Sequence, residues 1–123
     1  VTHRLLSRLD FTAIIERRRA NFQSFLDLFR TDVKVRPLFG QLPPGVCPLH
    51  FPVIVERRNQ VCADLNYKGV DAIPWWAGYH RELSWNGFDD ARFLKDNLLA
   101  LPVHQDLTES EVTFVAERLL AAV

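Results

Sequence analysis

The chain has 123 residues, of which 48% are hydrophobic and 24% charged, and this composition is typical of one folded domain. Its 15 basic residues balance 15 acidic ones, so net charge gives no reason to expect binding to nucleic acid or an anionic membrane. No apolar run approaches the roughly 20 residues of a membrane span. Two cysteines are too few for a disulfide framework, and a cytoplasmic protein with reduced thiols is therefore expected.

The first predicted element is a long amphipathic helix. Asp10 resembles an N-cap, and apolar residues then recur at three- and four-residue spacing as far as Phe29, with the helix end expected near Thr31. This apolar stripe is longer than three short strands can cover, which predicts an exposed apolar surface. The charged run at 16–20 is typical of a solvated helix face. Another short helix is expected just before, from Leu5, Leu6 and Leu9.

Short strands and helices follow. Residues 37–48 contain four prolines and two glycines, which indicates an irregular connection. Residues 49–55 are apolar and β-branched and predict a strand. The next predicted helix ends where Gly69 can adopt the left-handed conformation, and residues 70–73 predict a second strand.

The last third of the chain predicts a short helix and then a strand at 98–101. A closing helix follows, since Thr108 and Glu111 have the spacing of a capping box. The fold class is therefore predicted as α+β. A long N-terminal helix leads into a small, mainly antiparallel sheet of about three strands, covered by helices on one face.

Two adjacent tryptophans, Trp75 and Trp76, lie between Pro74 and Gly78, where regular structure is disfavoured. Adjacent residues cannot share one face of a helix or strand, so at least one ring points away from whatever buries the other. That ring meets either a second protein surface or a ligand.

Metal chemistry has little support in the sequence. Cys47 and His50 have the spacing of a metal knuckle, but no second pair follows, and structural zinc needs four ligands. No glycine-rich phosphate loop and no recognisable Ser-His-Asp order is present. We therefore predict no metal site.

Three segments carry a more specific indication by their order: IIERRRANFQSFLDLF at 14–29, FPVIVERRNQVCADLNYKGVDA at 51–72 and LLALPVHQDLTESEV at 98–112. Together they resemble the C-terminal small domain, with its connecting helix, of the DegT/DnrJ/EryC1/StrS family. Members of that family are pyridoxal-phosphate-dependent, fold-type I aminotransferases that act mostly on nucleotide-linked keto sugars. The resemblance extends from about Ser7 to Leu120.

The resemblance implies that residues 1–30 are connecting helices from a missing large domain and that residues 31–123 form the small domain. In the family, the large domain carries the Schiff-base lysine and the cofactor, and the active enzyme is generally a homodimer. None of Lys34, Lys68 and Lys95 lies in a similar motif, and Lys95 is interpreted as a helix-surface residue. Pyridoxal phosphate is thus expected in the full-length parent, whereas the chain alone is expected to bind none and to be inactive.

The resemblance also implies candidate substrate-binding residues and no catalytic residue. Trp75 and Trp76 occupy the His-Tyr/Phe positions of the family's cleft loop, and His80 matches its second histidine. His104 corresponds to a position near the domain cleft, although it also fits a loop residue beside a helix cap.

Arg57 and Arg58 match only in part an Arg-Asp step of the family, whose aspartate position here holds Arg58 or Asn59. Because the family's arginine usually makes a structural ion pair, no site role is assigned.

Two alternatives stay open. Both tryptophans could pack against the missing domain instead of facing a sugar-type substrate. The chain could also be a non-catalytic ligand-binding or regulatory module that has the same fold.

Overall fold

The computed structural model describes residues 9–123, so the short helix expected around Leu5 and Leu6 lies outside the described residues. Within that range, helices and strands alternate as follows: α1 Phe11–Leu28, β1 Arg36–Pro37, β2 His50–Ile54, α2 Arg58–Tyr67, β3 Ile73–Pro74, α3 Asp89–Asn97, β4 Leu98–Pro102 and α4 Glu109–Ala122. The strands are in the order β1-β2-β4-β3, and all neighbours are antiparallel. The predicted α+β class with a small antiparallel sheet is confirmed.

The sheet has four strands rather than about three, because both edges are two-residue strands that leave no periodic pattern in the sequence. Strand β1 begins at the edge of the segment expected to be irregular, and its Arg36 pairs with Ile54. The strand expected at 70–73 is wrong except at its end, since only Ile73 and the following proline enter the ladder.

The predicted helix ends form with their expected caps. The Asp10 side chain accepts a hydrogen bond from the Ala13 backbone N–H at 3.0 Å. Gly69 follows α2 with a φ of +84°, a conformation that a side chain would disfavour. Thr108 and Glu111 form the complete capping box at the start of α4. Local hydrogen-bonding chemistry therefore decides where these helices begin and end.

The hydrophobic core lies between one face of the sheet and helices α1, α2 and α4. At its centre, the ring centroids of Phe22, Phe25 and Phe29 lie within 6.0 Å of the centroid of Phe51 on β2. These four side chains are at most 2% exposed, so the expectation of an uncovered stripe along α1 is wrong for them. Only Phe11, at the beginning of the helix, remains largely exposed among the phenylalanines of α1.

The opposite face of the sheet positions the candidate site. Phe51 and Val53 of β2 are buried in the core, whereas the alternating His50 and Pro52 are half-buried on the other face. This face is covered by the loop after β1, by the tryptophan turn and by α3, from which Leu94 lines a cleft. The sequence predicts that helices cover one face only. This prediction is wrong, because α3 covers part of the second face.

Candidate functional site

A cleft of about 450 Å³ lies on the second face of the sheet. Strands β2 and β4 form its floor, residues 38–49 form one wall, and the tryptophan pair with α3 forms the other. Its lining is almost wholly apolar: Phe22, Leu38, Phe39, Leu42, Val46, Cys47, Pro48, Leu49, His50, Pro52, Trp75, Trp76, Leu94, Leu98 and Ala100. Such an apolar concavity with few polar groups is the usual form of a small-molecule site.

The two tryptophans have different environments. Trp75 is half-buried and packs edge-on against His50, with ring centroids 5.4 Å apart. Trp76 is 64% exposed, and its ring centroid lies 6.1 Å from that of Trp75. One ring therefore packs on the sheet while the other is largely open to solvent beside the cleft.

The backbone at Trp76 is strained. The Ala77 N–H donates to the Pro74 carbonyl at 3.2 Å and closes a four-residue turn in which Trp76 is third, with a φ of +52°. Glycine usually fills such a position, and a bulky residue there costs about 1 to 3 kcal/mol. A tryptophan therefore occupies a position at which the backbone conformation favours glycine.

A buried arginine fixes the first half of this turn. Arg58 is 4% exposed, and its Nη1 donates to the carbonyls of Trp75 at 3.0 Å and of Lys95 at 2.5 Å. Among residues 9–123, Arg58 takes part in no ion pair. Its partners are main-chain carbonyls, one in the tryptophan turn and one near the end of α3.

A buried lysine fixes the second half, and the interpretation of Lys95 as a helix-surface residue is wrong. Lys95 is 8% exposed, and its Nζ donates to the Trp76 carbonyl at 2.5 Å. The ammonium lies 5.1 Å from the ring centroid of Tyr79 and 5.0 Å from that of Trp85. The sequence holds a signal for this placement, because Lys95 follows Ala91 by four residues, on the apolar face of α3.

A second cavity, of about 530 Å³, adjoins this lysine and shares two lining residues with the cleft. Its lining consists of Trp76, Ala77, Trp85, Ala91, Leu94 and Lys95. Trp76 thus lines both cavities, and the position of its ring affects the shape of each.

Arginines of α1 hold the opposite wall of the cleft. Arg18 donates to the carbonyl of Pro48 at 3.1 Å, and Arg19 donates to those of Pro43 and Val46 at 2.9 and 2.6 Å. The prediction that this charged run is a solvated face is therefore wrong. A proline-rich loop has few N–H groups for a sheet ladder, and its carbonyls accept from these side chains instead.

The structure brings together only two of the four predicted substrate-binding residues. Trp75 and Trp76 line the cleft, but His80 and His104 line neither cavity. His80 is exposed in the loop after the turn. His104 precedes α4, where its Nδ1 lies 3.3 Å from a carboxylate oxygen of Asp106.

His50 is a cleft residue that was considered from the sequence only as a metal ligand. Burial lowers the pKa of His50, the Arg18 charge lowers it further, and the Asp71 charge opposes both. Its Nδ1 is buried and has no hydrogen-bond partner among residues 9–123. The strand pattern contains the signal, because His50 alternates with the core-facing Phe51.

The described residues contain no cluster of three potential metal ligands. In the same part of the chain, no helix combines the length and apolarity required to cross a bilayer. Cys47 is exposed at the cleft, whereas Cys62 is buried and donates to the Ala72 carbonyl at 3.3 Å. Burial raises the pKa of the Cys62 thiol, which makes it less reactive.

Comparison with other proteins identifies relatives by fold alone. No family model matches this sequence, and no curated protein is similar to it by sequence. Among solved structures, a DegT/DnrJ/EryC1/StrS aminotransferase from Brucella abortus is similar with a TM-score of 0.70 and 16% identity, over 88% of this chain and 31% of its own. This neighbour belongs to the family that the sequence resembles, and the resemblance is confirmed for the fold.

Two further neighbours agree. The Helicobacter pylori aminotransferase involved in pseudoaminic acid biosynthesis has a TM-score of 0.74 and 17% identity, over 89% of this chain and 32% of its own. A protein from Streptococcus pneumoniae assigned as a sugar aminotransferase, in its PLP form, has a TM-score of 0.76 and 16% identity, over 90% of this chain and 31% of its own. The chain therefore spans about a third of the length of these neighbours.

Proposed function

We propose that this chain is the small domain of a pyridoxal-phosphate-dependent aminotransferase that acts on a nucleotide-linked keto sugar. The observation that carries the proposal is a fold shared over about nine-tenths of this chain with enzymes of that kind. Residues 1–30 would connect to the large domain, and residues 31–123 would form the small domain. A cytoplasmic homodimer belongs to the same proposal.

In this proposal, the tryptophan turn contributes one wall of the substrate cleft. Trp76 offers an exposed flat ring on which a sugar or a base can stack, and Trp75 supports it from the sheet. The apolar lining of the cleft would exclude water around the bound substrate. His80 and His104 would reach the substrate only if closure of the two domains brings it to them.

The described residues of this chain do not fit pyridoxal phosphate itself. The cofactor requires a lysine free to form a Schiff base. Here Lys95 donates to the Trp76 carbonyl, Lys68 pairs with Asp64 at 2.6 Å, and Lys34 donates to the Val123 carbonyl at 2.9 Å. We therefore assign the cofactor to the large domain of the parent and derive no chemical step from this chain.

The experiment is an assay of the complete gene product that contains this chain. With glutamate and a nucleotide-linked keto sugar, we expect aminated sugar and 2-oxoglutarate in equal amounts, together with the absorbance of a cofactor Schiff base. The matched variants are Trp76→Ala and Phe39→Ala, which truncate one exposed ring on each wall of the cleft. We expect kcat/KM to fall more for Trp76→Ala, because that ring also lines the second cavity.

An absence of both Schiff base and amino transfer would overturn the proposal. If the purified chain then bound a sugar nucleotide by calorimetry, the result would favour the ligand-binding module. Loss of stability in Trp76→Ala with unchanged activity of the folded fraction would show that the ring serves packing alone.

A further inference from the structure

We infer that Lys95 is a positioning residue that sets the conformation of the loop 75–88 and, through it, the position of the Trp76 ring. The assignment of that ring to a substrate cleft rests on the proposed function. The control of the loop by Lys95 rests on the geometry alone.

The lysine contacts both ends of the loop. Its Nζ donates to the Trp76 carbonyl, at the start of the loop, and faces the ring of Trp85, near its end. Between them it faces Tyr79, whose hydroxyl donates to Asp96, the next residue of α3, at 2.7 Å. The rings of Tyr79 and Trp85 meet edge to face at 5.4 Å. One ammonium group therefore joins three points of a segment that has no helix or strand of its own.

These contacts require a positively charged hydrogen-bond donor at position 95. Among the described residues it takes part in no ion pair, so its charge is stabilised by a carbonyl dipole and two aromatic faces. A neutral side chain of similar length could fill the space but would leave the Trp76 carbonyl without this donor. Arginine would retain the charge and can donate to a carbonyl and stack on aromatic rings.

The hydrogen bond acts at the residue with strained backbone. Trp76 has a φ of +52°, and its carbonyl is the acceptor for Lys95. Without that bond, we expect the turn to relax and the ring to sample other positions beside the cleft. Lys95 would then affect substrate binding without touching substrate.

The test compares Lys95→Met and Lys95→Arg with the unmodified chain, using two measurements that need no substrate. The first is cleavage by an arginine-specific protease after Arg81, whose exposed side chain marks the middle of the loop, with mass spectrometry of the fragments. We expect Lys95→Met to be cleaved there at least about tenfold faster, the factor that loss of the charge-assisted hydrogen bond alone implies, and Lys95→Arg about as slowly as the parent. The second is tryptophan fluorescence, which should change in the methionine variant and recover in the arginine variant.

Circular dichroism melts separate loop release from general unfolding. The inference is supported if Lys95→Met accelerates cleavage after Arg81 more than cleavage after the arginines of α1, relative to the parent and below the melting transition. Equal cleavage after Arg81 in Lys95→Met and the parent overturns it, and so does uniform acceleration at all sites in both variants.

The same substitutions in the complete gene product test the functional part. Provided that the unmodified enzyme transfers amino groups, we expect Lys95→Met to raise KM for the sugar about tenfold while kcat changes less. If the unmodified enzyme is inactive, the proposed function fails, and the protease and fluorescence results still decide the role of Lys95.

Discussion

On the helical face of the sheet, three phenylalanine rings of α1 and its C-cap surround Phe51, whereas on the cleft face the loops are held by four cationic side chains that donate to main-chain carbonyls. The four cations are Arg18, Arg19, Arg58 and Lys95. The first region derives its stability from burial of apolar area, which is non-directional. The second depends on directional bonds between particular atoms. A small domain can thus combine a closely packed apolar half with a half in which directional hydrogen bonds hold irregular loops.

The largest effect is expected where the two regions differ most, in the cost of losing a ring. Phe51→Ala should lower the free energy of unfolding by about 3 to 5 kcal/mol, because it removes the ring at the centre of the core. Phe39→Ala, on the rim of the cleft, is the matched control and should change it by less than about 1 kcal/mol. Urea unfolding followed by circular dichroism measures both, and equal losses would refute the distinction.

The next effect concerns the cations. Arg58→Met should lower the free energy of unfolding by about 2 to 3 kcal/mol, since it leaves the carbonyls of Trp75 in the turn and of Lys95 on α3 without this donor. Arg57→Met is the control, because the side chain of Arg57 is exposed and should be nearly neutral. The same urea titration applies, and a neutral result for Arg58→Met would mean that water replaces the arginine at these carbonyls.

A smaller effect is expected at the strained turn, and its sign is informative. Trp76→Gly should be more stable than Trp76→Ala by about 1 kcal/mol, because glycine adopts a φ of +52° without a steric penalty. The order is the reverse of that found inside helices, where alanine is the more stable. Thermal melts of both variants measure the difference. If the alanine variant is the more stable, the backbone at this position is not strained in solution.

The smallest effect concerns pH. Burial lowers the pKa of His50 below its usual value of 6.5, so the unfolded chain binds the proton more readily than the folded one. The contribution of His50 to stability is therefore fully present above pH 6.5 and should be lost as the pH falls through the lowered pKa of His50. Urea midpoints measured from about pH 7.5 to about pH 4.5 should show this decrease in the parent but less of it in His50→Gln. An identical pH dependence in both would exclude His50 as its source.

Apolar periodicity and local capping made most of the fold predictable. The spacing of Phe22, Phe25 and Phe29 identified α1, and the glycine and threonine signals located the ends of two other helices. The edge strand β1 was not predicted and β3 was predicted with shifted bounds, because two residues cannot show a period and their pairing depends on distant partners. A lysine such as Lys95 was misinterpreted since burial of a charge depends on carbonyls and rings that come together only in three dimensions.

The candidate site was predictable only in part. The two tryptophans attract attention by adjacency alone, and the structure places both at the cleft. His50 stood out only by its spacing from Cys47, which indicated a metal knuckle instead of a cleft. Trp85 did not stand out, because a single tryptophan in a loop has no distinctive spacing. Their roles arise from non-local contacts with Trp75 and Lys95.

The edge strands have a consequence for how copies of this domain can meet. Both β1 and β3 contain a proline, Pro37 and Pro74, and each strand is only two residues long. A proline offers no N–H to an incoming strand, and natural sheets use short edges with proline to prevent extension into fibrils. A continuous intermolecular sheet is therefore disfavoured at both edges, and copies of this domain are expected to meet through side-chain surfaces.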